Sequence, residues 1–369
     1  MLRLNALFAF LRAHLVTVIA MVAAGLSFLF SPAEAWTRAI DWQTLNLLFC
    51  LMVVVAGIRE CALFRTLAAK LLKRQTHYRG LAHALVQLTF FLSMLVTNDV
   101  ALLALTPFAI YLLDRLNLRD RIPALVVLQT VAANLGSMAT PVGNPQNLFL
   151  YTAYELSAGA FFLAMVPITV IGALLLIALT QCLKDAPLEV AIATETAPMP
   201  RKIWAYHALF VLCLGTVFRL IPHAITFATI VIGALILSRN TLKKVDYGLL
   251  LTFICFFVFS GNLAQITAVR EVLTQFLANH TQATAAFTSQ FLSNVPAAIL
   301  LEPFTQDWKG LLWGTDIGGF GTPVASLASL ISLGIYLKEP DAKAGRYLTL
   351  FTAINLLFLL FLSLCSRFL

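Results

Sequence analysis

Two sequence patterns occur twice in this chain, and both copies of each lie inside long apolar stretches. The first pattern is an Asn followed nine residues later by Pro-Phe: Asn98 with Pro107-Phe108, and Asn294 with Pro303-Phe304. A constant offset of 196 residues relates these two copies. An apolar segment that repeats its polar and helix-breaking residues in register predicts an internally duplicated fold.

The second pattern follows each copy of the first. Asn134 precedes Thr140-Pro141 in one half, and Asp316 precedes Thr322-Pro323 in the other, at an offset of 182 residues. Apolar segments that are interrupted by Gly and Pro at corresponding positions of two halves indicate the binding site of a secondary transporter. We therefore expect a site built from broken helices.

Composition places these segments in a membrane. Hydrophobic residues make up 60% of the 369 residues and charged residues 11%, whereas soluble domains carry roughly a quarter charged residues. Continuous apolar runs of about 20 residues predict transmembrane helices rather than the alternating strands of a β-barrel. The fold class is therefore an all-α polytopic membrane protein. The net charge of +8 then reports topology rather than nucleic-acid binding.

We predict nine complete crossings, at residues 6–30, 42–58, 122–151, 159–182, 203–219, 222–238, 246–262, 309–336 and 345–367. Residues 80–114 and 283–306 are predicted to be re-entrant hairpins of two half-helices each. Basic residues flank 80–114 on both sides, and positive charge stays on the cytoplasmic side, so this inner hairpin has both ends inside. The outer hairpin, 283–306, lies among few positive charges.

With the amino terminus in the cytoplasm, 20 of the 25 Lys and Arg residues fall on the inner side. Five crossings then separate the hairpins, which makes the two repeats inverted. Residues 1–183 form the first repeat, 184–202 a cytoplasmic linker, and 203–369 a linking span, 203–219, followed by the second repeat. An alternative for the first span is a signal peptide ending in Ala33-Glu34-Ala35; we favour a retained span because its apolar run is long.

The repeated residues suit a solute. Thr140 and Thr322 are predicted to be helix N-caps, with Pro141 and Pro323 at the first helical position. Helix N-termini bind anions, and the carbonyls of the preceding half-helices suit a hard cation. The predicted substrate-binding residues are Thr97, Asn98, Thr140, Pro141, Asn144, Ser293, Asn294, Thr322 and Pro323. The predicted cation-coupling residues, at which Na⁺ is possible, are Asn98, Asp99, Asn134, Gly136, Asn294, Asp316 and Gly318.

Two acids inside the membrane are the most informative single residues. Asp99 and Asp316 would cost about 2.5–3.5 kcal/mol each at the centre of a spanning helix. Each has a structural alternative, because Asp99 falls in the first turn of a half-helix and Asp316 precedes a Gly-rich break. Asn144, Gln146 and Asn147 form a polar cluster that is expected to line a cavity.

Four stretches resemble the ion transporter superfamily, which includes divalent-anion/sodium symporters, citrate transporters and arsenite permeases. They are 96–103 (VTNDVALL), 134–148 (NLGSMATPVGNPQNL), 293–296 (SNVP) and 316–330 (DIGGFGTPVASLASL). The resemblance implies a homodimer, a scaffold domain, a mobile transport domain and elevator-type alternating access. Carboxylate symporters of that group carry Ser-Asn-Thr at both hairpin tips. Here the third positions are Asp99 and Val295, and the Asn-Asp tip is similar to arsenite permeases.

The sequence thus predicts a secondary transporter of a small anion, a carboxylate or an oxyanion, coupled to Na⁺ or H⁺ in a bacterial inner membrane. No other cofactor, no catalytic residue and no nucleic-acid partner is expected. The alternatives are a Na⁺/H⁺ antiporter or an arsenite/antimonite permease of the same fold and, less favoured, a channel. An intramembrane enzyme would need a paired nucleophile and base, which the chain does not offer.

Overall fold

The structure is a computed structural model that describes residues 15–30, 39–61, 63–72, 75–188 and 200–369. The described residues form seventeen α-helices, with only an isolated β-bridge between His77 and Pro187 as extended pairing. The helices are α1 Leu15–Ser27, α2 Trp42–Glu60, α3 Leu63–Leu72, α4 Tyr78–Val96, α5 Asn98–Arg115, α6 Ile122–Ser137, α7 Pro145–Ala153, α8 Ala158–Gln181, α9 Lys202–Val217, α10 His223–Leu237, α11 Asn240–Lys243, α12 Tyr247–Leu263, α13 Thr267–Leu292, α14 Asn294–Leu301, α15 Trp308–Gly318, α16 Leu327–Tyr336 and α17 Ala344–Cys365.

This architecture confirms the all-α polytopic fold class. Four described helices are individually long and apolar enough to cross a bilayer, namely α2, α4, α8 and α17. A fifth span results if α12 and α13, which meet at a bend of 101°, are counted together. The other predicted crossings correspond to shorter or interrupted helices, and the first lies partly outside the described residues, as does the alternative cleavage site at 33–35.

The first hairpin, α4 and α5, differs in length from its prediction. Its arms contain 19 and 18 residues, which is about 28 Å and 27 Å at 1.5 Å per residue. They are therefore nearly full-length helices rather than half-helices. The helices begin and end at the predicted hairpin limits, and the tip falls at Thr97.

The second hairpin has a different shape. Its first arm is the end of α13, which is kinked at His280 (φ −141°, ψ 29°). Its second arm is α14, an eight-residue helix followed by a 3-10 turn over Glu302–Phe304. This hairpin lies where the sequence predicts it. The helix before the kink, α3 and the short α11 were not predicted, because those segments carry mixed polar and apolar residues.

The helices pack as two groups. Helices α1, α2, α9, α10, α11 and α12, here called the framework helices, pack against one another. The hairpins, α6 to α8 and α15 to α17, here called the hairpin bundle, form the other group. Helix α3 contacts α2 on one side and the first hairpin on the other. Each group combines both halves of the sequence, so the spatial division does not follow chain order.

Helix α2 runs between the two ends of the molecule. Helix α2 runs from Asp41, its N-cap, to Glu60. Glu60 accepts hydrogen bonds from Lys244 Nζ (2.8 Å) before α12 and Ser238 Oγ (3.1 Å) after α10. Its carboxylate also pairs with Lys202 Nζ at 3.5 Å, at the start of α9. This charge cluster joins four framework segments at what we call the Glu60 end; the opposite end is the Asp41 end.

Candidate functional site

The two hairpin tips have the same backbone conformation. Thr97 has φ 78° and ψ 150°, and Ser293 has φ 75° and ψ 155°. At each tip the next residue folds its side chain back, so that Asn98 Oδ1 accepts from the Asp99 amide (2.9 Å) and Asn294 Oδ1 from the Val295 amide (3.0 Å). A positive φ is strained for a non-glycine residue. The strain recurs at both equivalent positions, so the sequence duplication is also a structural one.

Each broken helix is held against its own hairpin by equivalent contacts. The Thr140 hydroxyl donates to the Met94 carbonyl, and the Thr322 hydroxyl donates to the Gln290 carbonyl at 2.8 Å. Met94 and Gln290 are themselves related by the offset of 196 residues. These hydroxyls therefore fasten the helix break to the first arm of the hairpin.

One glycine in each break allows the broken helix to approach the hairpin closely. A Cβ atom on Gly136 would lie 2.0 Å from the Phe90 carbonyl oxygen. A Cβ atom on Gly318 would lie 2.8 Å from the Cα of Ala286. Both glycines thus have a packing role next to the hairpin, whatever their part in cation coupling.

The N-cap prediction is wrong for Thr140, and at Thr322 it holds only for the position of a short 3-10 turn, without a side-chain cap bond. Helix α7 begins at Pro145, and Asn144 is its N-cap, with Oδ1 accepting from the Asn147 amide at 3.0 Å. In the second repeat, Thr322 precedes only a three-residue 3-10 turn, and Ser326 is the N-cap of α16. The loop continues past each Thr-Pro step because the threonine hydroxyl is already committed to a hairpin carbonyl.

The two breaks exchange hydrogen bonds reciprocally. Asn144 Nδ2 of the first repeat donates to Asp316 Oδ1 of the second at 3.1 Å. Ser326 Oγ of the second repeat donates to Asn134 Oδ1 of the first at 3.0 Å. The offset of 182 residues pairs Asn144 with Ser326 and Asn134 with Asp316. The two contacts thus join corresponding residues of the two repeats.

Further amides complete this buried cluster. Gln146 Nε2 donates to Asp316 Oδ1 at 3.0 Å, and Asn98 Nδ2 donates to Asn134 Oδ1 at 3.2 Å. Gln146 was recognised as part of a polar cluster but was not selected as a site residue. Its spacing after Asn144, in the first turn of α7, was the available signal.

Two carboxylate oxygens in this region have no hydrogen-bond partner. Asp316 is only 2% exposed, and its Oδ2 is unpartnered, as is Asp99 Oδ1 at the tip of the first hairpin. Among the described residues, no Lys or Arg side chain bonds to either carboxylate. A buried carboxylate without a cation is costly, so the arrangement fits the binding of a proton or a metal cation.

A cavity of 590 Å³ reaches the cluster from the Glu60 end, between the framework helices and the hairpin bundle. Thr97, Asp99 and Asn144 lie in its wall. Its other charged lining residues are Arg59, Glu60, Lys244 and Asp246. The cavity therefore contains two basic and three acidic side chains. A small solute can reach the first hairpin tip from this side.

The predicted site residues differ in their position relative to the cavity. Asn98, Asn134, Asn294 and Asp316 are buried behind the cavity wall. Ser293 and Asn294 are not among the cavity-lining residues, and neither are Thr322 and Pro323. Thr140 and Pro141 also lie off the cavity. The structure thus joins the breaks and both tips into one cluster but exposes only the first tip.

Within the described residues, no group of three or more His, Cys, Asp and Glu side chains is arranged to hold a metal ion. A metal cation at this site would therefore rely on amide, hydroxyl and backbone oxygens with a single carboxylate. Hard cations such as Na⁺ accept such ligands.

The chain is similar to a transporter family and to membrane proteins of other organisms. The sequence profile described as citrate transporter matches residues 6–313. An uncharacterized transporter of Methanocaldococcus jannaschii is 32% identical over 335 residues, covering 90% of this chain and 91% of that protein. The inner membrane protein YbiR of Escherichia coli is 33% identical over 326 residues, covering 85% of each chain.

A shorter similarity concerns a plant protein. The silicon efflux transporter of Oryza sativa subsp. japonica is 37% identical over 134 residues, which is 36% of this chain and 27% of that protein. Two of these three relatives are named as transporters, and the matched family is one of transporters rather than enzymes. With its apolar helices, paired hairpins and matched profile, this chain is an integral membrane transporter that belongs to the citrate transporter family.

Proposed function

We propose that the protein is a secondary active transporter that moves a small anion, a carboxylate or an oxyanion, coupled to Na⁺ or H⁺. The observation that supports this most is the reciprocal hydrogen bonding between the two breaks, Asn144 with Asp316 and Ser326 with Asn134. It is the contact expected of two repeats that meet around one solute.

In this proposal the hairpin bundle is the transport domain, and it moves against the framework helices by an elevator-type mechanism. The repeats are inverted in the membrane, the amino terminus is cytoplasmic, and the protein is a homodimer in a bacterial inner membrane. The cavity at the Glu60 end is then the cytoplasmic entrance. The basic side chains at that end, among them Arg59 and Lys244, agree with the cytoplasmic preference of positive charge.

Substrate binding is assigned to the helix N-termini and tip amides. The α5 and α7 N-termini turn the positive ends of their helix dipoles toward the cavity, near Thr97 and Asn144. The coupling cation is assigned to Asp316 and Asp99, whose unpartnered oxygens require a positive partner. One moving charge is worth about 2.3 kcal/mol per 100 mV of membrane potential, which can drive uptake.

A second candidate function is Na⁺/H⁺ exchange, with no organic substrate. The excess of acidic over basic side chains around the cavity favours it. A third is a weak oxyacid permease, for which the tip sequence Asn98-Asp99 and the partial similarity to a silicon efflux transporter argue. These alternatives share the same site and differ in the solute.

The test is a thermal-shift screen of the purified protein against citrate, succinate, sulfate, arsenite and silicic acid, each with and without Na⁺. We expect one of the anions to raise the melting temperature in a Na⁺- or pH-dependent manner. Asn98→Ala and Asn294→Ala are each expected to abolish that shift while the protein stays folded. A normal ligand shift in both variants would place the site elsewhere, and stabilisation by Na⁺ alone would favour the antiporter.

A further inference from the structure

Between residues that the structure describes, side-chain hydrogen bonds cross the seam between the framework helices and the hairpin bundle at one end only. In the described residues, three hydrogen bonds from side chains cross it, and all three lie at the Asp41 end. One joins Ser260 Oγ of α12 to the Leu300 carbonyl at 3.2 Å. The other two come from Arg219. At the Glu60 end the same seam is open as the 590 Å³ cavity, which reaches the first hairpin tip. A smaller pocket of 320 Å³ lies at the Asp41 end, beside Asp41 and Ser260, and neither hairpin tip lines it.

Arg219 binds the end of a site helix. Its Nη1 donates to the Glu155 carbonyl at 3.1 Å and its Nη2 to the Tyr151 carbonyl at 3.5 Å. Its guanidinium carbon lies 5.6 Å from the centre of the Tyr151 ring. Tyr151 belongs to the last turn of α7, and Glu155 follows that helix. A framework arginine therefore caps the C-terminus of α7, where a positive charge interacts favourably with the helix dipole.

The same helix carries the site at its other end. Helix α7 is nine residues long, about 13 Å at 1.5 Å per residue. Its first turn supplies Asn144 and Gln146, which hold Asp316. One short rigid helix thus connects the buried cluster to the framework arginine.

The backbone of Arg219 is in a strained conformation. Helix α9 ends in a Schellman motif, in which the Arg219 amide donates to the Thr216 carbonyl (2.9 Å) and the Leu220 amide to the Gly215 carbonyl (2.8 Å). Arg219 occupies the left-handed position of this motif, with φ 61°. Glycine is preferred there, and an arginine costs about 1 kcal/mol or more. Backbone strain clusters at functional positions, so it motivates a functional hypothesis for the Arg219 side chain.

We infer that Arg219 is a latch: it fixes the hairpin bundle in the conformation whose cavity opens at the Glu60 end, and it must release α7 for the bundle to move. Ser260 makes the second contact across the seam at the Asp41 end. Arg219 is a positioning residue, since it does not line the cavity. The inference rests on the alternating access in the proposed function, and it concerns the equilibrium between conformations rather than the identity of the solute.

The test is hydrogen–deuterium exchange of the full chain in nanodiscs of phosphatidylethanolamine and phosphatidylglycerol, with no solute added. In Arg219→Gln, peptides over 260–266 and 300–305 are expected to exchange about tenfold faster, the factor for a lost hydrogen bond to a charged group. Peptides over 96–103, in the cavity wall, are expected to exchange more slowly, because the open cavity becomes less populated.

Arg270→Gln is the matched control. Arg270 is exposed near the same end, and its side chain makes no hydrogen bond or ion pair in the described structure. This variant removes the same charge and is expected to exchange as the wild type does. An Arg219→Gln profile indistinguishable from wild type, or the same change in Arg270→Gln, would overturn the latch.

Arg219→Gly separates the latch from simple folding stability. It removes the guanidinium and relieves the left-handed strain, so we expect it to melt at a higher temperature than Arg219→Gln while showing the same exchange shift. A more stable Arg219→Gly with wild-type exchange would make Arg219 merely a strained helix end. Because no ligand enters the experiment, its failure is distinct from a failure of the ligand screen.

Discussion

The two helix breaks are built alike but differ at the residue that matters most electrostatically. In both, a threonine hydroxyl bonds to the hairpin, a glycine permits close approach, and a polar N-cap reaches across to the other repeat. Yet the acceptor is the neutral amide of Asn134 in one break and the carboxylate of Asp316 in the other. Duplication preserved the geometry while only one copy kept a charge that a cation can neutralise.

The largest expected effect comes from the glycine of each break, where that helix packs closely against the hairpin. Gly136→Ala places a methyl group 2.0 Å from a backbone carbonyl oxygen, whereas Gly318→Ala places it 2.8 Å from a Cα atom. Neither neighbour is a flexible side chain, so the helices must separate. We expect losses of about 4 kcal/mol for Gly136→Ala and about 1–3 kcal/mol for Gly318→Ala, measured as melting temperatures in detergent. Equal melting temperatures for the two variants would show that the breaks are packed alike.

Next in size is the removal of the charged acceptor. Asp316→Ala leaves the amide donors of Asn144 and Gln146 unpaired in a buried site, which costs about 2–4 kcal/mol. Asp316→Asn retains the shape and an accepting oxygen, so its stability should stay near that of the wild type while the dependence of the ligand shift on Na⁺ or pH disappears. Retained cation dependence in Asp316→Asn would assign coupling to Asp99 or to the tips.

A smaller effect compares the two N-caps. Asn144 caps α7, donates to Asp316 and donates to Ser137 Oγ at 3.2 Å. Ser326 makes a hydrogen bond to Asn134 but no side-chain cap bond. We expect Asn144→Ala to cost about 2–3 kcal/mol and Ser326→Ala about 1 kcal/mol, by thermal melts of both variants in one buffer. A larger loss for Ser326→Ala would reverse the assigned importance of the two caps.

The smallest effect concerns linker residues 184–188, which lie against the start of the first hairpin. Asp185 Oδ1 accepts from the Arg79 amide at 3.0 Å, where the linker pairs with the start of α4. The hydrogen bond from the Arg79 amide lowers the pKa of the Asp185 carboxyl. A lowered pKa stabilises the folded state above the unfolded value and loses that contribution as the pH falls through the folded value. Asp185→Asn should therefore melt slightly lower than wild type at about pH 7 and equally at about pH 2.

Much of the fold could be read from the sequence, because membrane helices and their breaks are marked by apolar length, proline and glycine. The hairpin tips at Thr97 and Ser293 and the boundaries of α8, α9 and α17 lie within a few residues of their predictions. The kinked α13 and amphipathic α3 were missed, because their apolar residues do not form a continuous run. The contact of residues 184–188 with the start of α4 was also not predicted, because it depends on a β-bridge between residues distant in sequence.

The candidate site was predictable as a set of residues but not as a set of contacts. The offsets of 196 and 182 selected Asn98, Asn134, Asn294 and Asp316. They did not reveal that Asn144 rather than Thr140 caps α7, or that Gln146 binds Asp316. A threonine before a proline predicts an N-cap only if its hydroxyl is free. Here each threonine hydroxyl donates to a carbonyl of the neighbouring hairpin instead.

The sequence by itself determined that this protein is a helical membrane transporter with two copies of an interrupted apolar motif, because both properties are written in local composition and spacing. Only the tertiary structure decided which copy meets the cavity, which amides hold Asp316, and where Arg219 ties the framework to α7. Those features are contacts between residues far apart in the chain, and they exist only once both halves are packed together.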